Sequence, residues 1–258
     1  MVSWVGEANA IKGPTEVRFR AQPGGNLLIA GANREAALAV AASAVLGLAA
    51  AAPPSRARFL LLDGSPPELG HDRHFAALGS AIPHGLERVE YSRVPAALRE
   101  LDAEVQERAE GKRPADRRIF LAIHDLQRFR PLRQKSEFEF SSSGGEEERS
   151  ADRCLARILA EGPAQKVHTI LWADSVNSLN RMLGRKLLKE FQMRILFQMS
   201  GSDSSELIDT PAAASLGLYR GLLFLEEEGT IEKFRPYALP DEAMWEEVRK
   251  KLAVISNQ

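Results

Sequence analysis

Leu27-Leu28-Ile29-Ala30-Gly31-Ala32-Asn33-Arg34-Glu35-Ala36-Ala37 joins a compact apolar run, a glycine and the start of a helix without interruption. The run from Asn26 to Ala30 is short and wholly apolar at its centre, as a strand buried on both faces would be. Gly31 ends it, and Asn33 is placed to cap the helix that follows. Glu35 puts an acid in the first turn, where the helix macrodipole favours negative charge. The helix is expected to continue to about Ala52, where Pro53-Pro54 stops it.

The same alternation recurs on either side. Val17 to Ala21 reads as a half-buried strand, followed by a turn at Gln22-Pro23-Gly24-Gly25. Phe59 to Leu62 is a second buried strand closed by Asp63-Gly64-Ser65-Pro66, and Leu86 to Tyr91 a third. Val94 to Ala109 is an amphipathic helix with Leu98, Leu101 and Val105 on one stripe. Ile119 to Ile123, Thr169 to Trp172 and Arg194 to Met199 complete the apolar strands. Gly221 to Glu226 and Thr230 to Phe234 flank Glu227-Glu228-Gly229 and read as a hairpin at the sheet edge. Asp241 caps a last helix through about Val254. Strand–helix alternation of this kind predicts an α/β fold with a mainly parallel central sheet and helices on both faces. One domain is expected over residues 1–258, with a flexible surface loop at about 134–150 carrying Ser141-Ser142-Ser143-Gly144-Gly145 and Glu146-Glu147-Glu148.

Bulk properties exclude several classes. The apolar fraction of 44% supports an ordinary core. A formal charge of −1 provides no global attraction to nucleic acid or anionic membrane. The single cysteine, Cys154, rules out an internal disulfide and fits a reducing compartment. The alanine-rich stretch from Ala36 to Ala52 falls short of the ~20 residues of a membrane span, so a buried helix and no membrane insertion are expected. No secretory signal opens the chain, which fits a cytoplasmic protein. The abrupt start at Trp4-Val5-Gly6-Glu7 suits a domain within a longer parent chain.

A strand that runs through glycine into a helix is the place where backbone N–H groups and a positive helix end can hold phosphate. A working P-loop needs G-x-x-x-x-G-K-[ST] there. Gly31 supplies the first glycine, and Ala32, Asn33 and Arg34 follow. The second glycine, the lysine and the hydroxyl are expected at Glu35, Ala36 and Ala37, where an acid and two methyl groups stand instead. Arg34 is the one neighbouring cation. The second requirement is an apolar strand that ends in an acidic pair for magnesium and water. Ile119-Phe120-Leu121-Ala122-Ile123 ends in His124-Asp125, so the metal position falls on an imidazole, a poor ligand for a hard cation. Asp125 is a candidate acid, with a satisfied polar group at a strand end as the plainer reading.

The C-terminal half carries a resemblance. Val167-His168-Thr169-Ile170-Leu171-Trp172-Ala173-Asp174-Ser175 resembles the strand and sensor region of FtsK/SpoIIIE-like P-loop ATPases. Arg194-Ile195-Leu196-Phe197-Gln198-Met199-Ser200, then Ser204-Ser205-Glu206-Leu207-Ile208-Asp209, Leu216-Gly217 and Gly221-Leu222-Leu223-Phe224, are similar to that family's following block. Together with Gly6-Glu7-Ala8 and Ala10-Ile11-Lys12-Gly13-Pro14-Thr15, the resemblance spans roughly Gly6 to Tyr237 and is to a C-terminal degenerate ATPase domain of a large FtsK/EccC-like protein. It implies a RecA-like fold, other domains of a longer parent as partners, and a ring-forming homo-oligomer in the parent. ATP and Mg²⁺ are expected to bind weakly or not at all, and DNA is a candidate cargo. Asp174 occupies the place of the family's sensor glutamine and is the second candidate acid. The expected function is a scaffolding or regulatory ATPase domain of a DNA-translocase or secretion motor. The alternatives are an active translocase using Arg34, and a peptide-binding module of the type VII secretion kind.

Other features are read as structural. Arg128, Arg130, Arg133 and Lys135, and Arg181, Arg185, Lys186 and Lys189, are basic runs read as solvated surface, with phosphate contact as the functional alternative. Ser202 and Asp203, with Glu206, resemble a capped helix start. Trp4, Trp172 and Trp245 are expected to pack in the interior, and the five histidines show no metal-ligand spacing.

Overall fold

The computed structural model describes residues 1–134 and 150–256. In chain order the elements are β1 (Val2–Ala8), β2 (Thr15–Arg18), β3 (Leu27–Ala30), α1 (Arg34–Ala50), β4 (Ala57–Asp63), α2 (His71–Ala81), β5 (Glu87–Arg88) and α3 (Val94–Ala109). There follow β6 (Arg118–His124), α4 (Ala151–Glu161), β7 (Val167–Ala173), α5 (Val176–Met182), α6 (Gly184–Leu188), β8 (Met193–Leu196), α7 (Gly201–Ile208), β9 (Gly221–Leu225), β10 (Thr230–Pro236) and α8 (Glu242–Ser256). The strands form one 10-stranded sheet in the order β2-β1-β10-β9-β8-β3-β7-β6-β4-β5. From β8 to β5 every neighbour is parallel, and from β8 back to β2 every neighbour is antiparallel.

The central strands are mostly apolar because both faces are covered, with His124, His168 and Thr169 as buried polar exceptions. Leu27, Ile29, Phe59, Leu61, Phe120, Ile170 and Trp172 face a core built with α1, α2 and α8. Leu28, Ala30, Leu60, Leu62, Leu121, Ile123 and Leu171, the alternate residues, face α3, α4, α5 and α7. Helix α1 lacks an exposed stripe, since residues from Ala36 to Ala49 are buried on most sides. Its small side chains admit β1 closely: Ser3 Oγ–H donates to Ser43 O at 3.1 Å. A Cβ at Gly47 would lie 2.1 Å from Ser3 Oγ. The expected buried helix is therefore observed, and no described helix is long and apolar enough to cross a membrane.

Asn26 ties β3 to its surroundings. Its Nδ2 donates to Leu159 O and Glu190 O at 2.9 and 2.8 Å, and its Oδ1 accepts from Thr169 N at 2.8 Å, with Asn26 itself fully buried. Asn26→Leu would leave those backbone groups without a partner, and we expect a loss of ~3 kcal/mol. Urea denaturation should show a lower midpoint at unchanged m; an unchanged midpoint would disprove the role.

Several expectations are corrected. The β9–β10 hairpin is not at the sheet edge, because β1 pairs with β10 and β2 lies outside β1. Strand β1 has little alternation to signal it, and its register shifts between Trp4 and Gly6. The strand expected at Leu86 to Tyr91 is reduced to Glu87–Arg88, since its only neighbour is β4 and the chain turns at Tyr91–Arg93. The cap of α7 is Ser200, whose Oγ accepts from Asp203 N at 3.1 Å, rather than Ser202 or Asp203. Trp172 and Trp245 are buried, but Trp4 is 54% exposed on the open wing of the sheet. The loop expected at 134–150, and Lys135, lie almost wholly outside the described residues.

Candidate functional site

Parallel strands aim all their C-terminal ends at one edge, so the loops after β3, β4, β6 and β7 converge there. This brings Gly31, Arg34, Asp125, Trp172 and Asp174 together from three segments of sequence. Gly31 has φ +127° and is buried, and a Cβ there would lie 2.9 Å from Phe197 Cβ. Its N–H donates to Ala173 O at 3.2 Å, and its carbonyl accepts from Trp172 Nε1 at 3.1 Å. Both polar groups of the glycine are thus used inside the protein.

Only Ala32 and Asn33 separate Gly31 from α1, which begins at Arg34. Asn33 caps it as expected, its Oδ1 accepting from Ala36 N at 3.1 Å. One of the first-turn N–H groups that could point at an anion is therefore taken. Counted strictly from Gly31, the second glycine, lysine and hydroxyl positions fall on Ala36, Ala37 and Leu38, one residue later than the sequence reading set them. The chemical result is unchanged: Ala36, Ala37 and Leu38 are buried apolar groups at the base of the helix. Glu35 is exposed beside them.

Arg34 does not face an empty phosphate site. Its guanidinium pairs with Asp125 Oδ2 and lies 5.1 Å from the centroid of the Trp172 ring, with 31% of the side chain exposed. Asp125 is fully buried at φ +65°, and its other oxygen accepts from Gln127. Burial pushes the Asp125 carboxyl up, while the Arg34 hydrogen bond and charge pull it down and nearby Asp174 adds to the rise. Asp125 is thus a partnered strand-end residue rather than a free base. Asp174 accepts from Ser175 Oγ at 3.0 Å at the start of α5, and Ser175 caps that helix.

His124, at the magnesium position, is 2% exposed, and neither ring nitrogen has a hydrogen-bond partner among the described residues. Its ring lies 4.5 Å from Trp172 and 5.2 Å from Phe75. Burial, with the charges of His71 and Arg34, lowers its pKa to about 3, so it is a neutral ring at physiological pH. No group of three or more His, Cys, Asp or Glu side chains among the described residues could hold a metal ion. Sequence reasoning missed Trp172 as the platform under Arg34, although it stands in the stretch that resembles the sensor strand, and it missed the approach of His71, which stands in no motif.

The two basic runs share a surface. Gln134 N–H donates to Met182 O at 3.0 Å, which sets Arg128, Arg130 and Arg133 beside α5 and α6. Arg181, Lys186 and Lys189 are exposed, and Arg185 pairs with Glu206 at 3.4 Å.

Solved structures share this architecture. The pCW3 conjugation coupling protein TcpA, in its monomer form with ATPγS, matches with a TM-score of 0.71 at 12% identity, over 98% of this chain and 70% of that one. EccC (ATPases 2 and 3) of Thermomonospora curvata, in complex with a signal sequence peptide, matches at 0.67 and 14% identity over 99% of this chain. EssC (ATPases 2 and 3) of Geobacillus thermodenitrificans gives the same TM-score and identity over 99% of this chain. The fold is that of these P-loop ATPase domains. The RecA-like architecture and the FtsK/SpoIIIE-like resemblance stand at that level. The chain spans 47% and 49% of the EccC and EssC chains it matches. No family model and no curated protein matches it.

Proposed function

We propose that this chain is a non-hydrolysing P-loop-type ATPase domain that serves as a scaffold and regulatory contact within a larger coupling or secretion ATPase. The observation that carries the reading is the Arg34–Asp125 pair over Trp172. Arg34, the cation beside the phosphate position, is already paired with Asp125 at the water-activating position, so neither is free for triphosphate. The methyl groups of Ala36 and Ala37, the self-capped N-terminus of α1 and the neutral His124 support the same conclusion. In this reading residues 1–258 act as one domain of a longer parent, in the cytoplasm, beside catalytically complete domains in a ring layer. Cargo handling, whether of DNA or of a signal segment like the peptide in the EccC complex, is performed with those neighbours.

Phosphate release with ATP and Mg²⁺ tests this. We expect turnover no greater than buffer, unchanged in Asp125→Asn. Robust magnesium-dependent hydrolysis that Asp125→Asn abolishes would show the site to be live.

A further inference from the structure

A cavity of about 550 Å³ opens beside the first turns of α1 and is of a size that holds small ligands. Glu35 and Ala39 of α1, Glu7 of β1, Tyr219 before β9, and Arg235 and Tyr237 of the β10 end line it. Glu7 and Glu35 have no ion-pair partner among the described residues, although Arg235 lies directly across from Glu7 in the β1–β10 register. The Tyr237 phenol is pushed up by burial and by the Glu7 charge; the lining carries two carboxylates, Glu7 and Glu35, against one cation, Arg235. Tyr219 is held at φ +57° and is 55% exposed. A bulky residue in the left-handed region is strained, and such strain concentrates where a side chain is held for a ligand.

These features point away from phosphate. Two carboxylates repel it, and small Ala36 and Ala39 leave a shallow apolar floor that accepts a flat group. Tyrosine rings attract cations over their faces, and a guanidinium is planar, stacks on such rings and forks onto a carboxylate. A compact ammonium has neither property. We propose that this cavity binds a guanidinium group, with Glu35 and Glu7 as anionic partners and Tyr219 and Tyr237 as ring contacts. The group arrives either on a small molecule or on an arginine of a second copy of this chain. The cavity shares Glu35 and Ala36 with the degenerate loop, so a nucleoside is the competing occupant to exclude.

Titration of the ¹⁵N-labelled chain with arginine amide, lysine amide and adenosine tests the proposal. Arginine amide should give saturable shifts at the Glu35, Ala36, Tyr219 and Tyr237 amides, and lysine amide should bind about fivefold more weakly. Glu35→Gln and Tyr237→Ala should each weaken arginine amide about five- to tenfold. Sedimentation with saturating arginine amide separates the sources: dissociation of oligomers identifies the second copy, and an unchanged profile identifies a small molecule. Equal binding of the two amides, affinity unmoved in Glu35→Gln, or adenosine taking the cavity in place of arginine amide overturns the proposal.

Discussion

Arg34→Met lowers the stability of the chain by about 2–3 kcal/mol even with no nucleotide present. Removing one member of a fully buried pair costs about 3–5 kcal/mol because an uncompensated charge stays behind. Asp125 is fully buried, but the Arg34 side chain is 31% exposed, so the lower figure applies. For a chain of this size a loss of that kind lowers Tm by about 4–10 °C. Asp125→Asn combined with Arg34→Met should recover much of the loss, since two neutral groups no longer need each other. The coupling from the double-mutant cycle should be about 2 kcal/mol, the upper range for contacting residues. A guanidinium kept free for phosphate predicts otherwise: Arg34→Met would be close to neutral without ATP, and ATP with Mg²⁺ would stabilise only the wild type. Thermal melts of the four proteins, with and without ATP, separate the two.

Acid should unfold this chain earlier than its carboxylates alone require. His124 and His168 are buried, and burial lowers their pKa values to about 3 and about 4. For His168 burial is the main cause and the Arg118 charge, 3.3 Å from Nε2, adds to it, while the Nδ1 hydrogen bond to Gly25 O at 2.8 Å opposes the shift. Both rings therefore bind protons more readily unfolded than folded. The stability they contribute is full above the unfolded value of about 6.5 and is lost as pH falls toward their folded values. The slope is about 1.4 kcal/mol per pH unit for each ring within that window. Two units of acidification, from pH 6 to pH 4, should thus cost several kcal/mol from this pair. His124→Phe, placed among Phe75 and Trp172, should remove about half of that slope. Chemical denaturation at stepped pH measures it, and an equal slope in wild type and His124→Phe would refute the assignment.

The legibility of the sequence followed the physics of each segment. Helix α3 appears at the expected bounds, because Leu98, Leu101 and Val105 mark a helical period over a long window. Strands β3, β4, β6 and β7 were legible because a strand covered on both faces carries an unbroken apolar run at its centre. Helix α2 and strand β1 were not. The burial of α2 is limited to Phe75, Leu78 and Ala81, and the register shift of β1 breaks its alternation. At the site, Gly31 and the Asn33 cap could be read directly, because a glycine after a strand and a capping side chain act on their own neighbours.

The sequence alone determined that this is an α/β chain with a strand–glycine–helix junction lacking lysine and hydroxyl, because those are properties of local period and of residue identity. The tertiary structure alone decided that Arg34 is consumed by Asp125, that Trp172 lies beneath it, and that β1 and β2 displace the hairpin from the edge. Arg34 and Asp125 lie 91 residues apart, and no local pattern encodes a contact made only when parallel strands align their ends. Charge pairing over that separation is set by the register of the sheet.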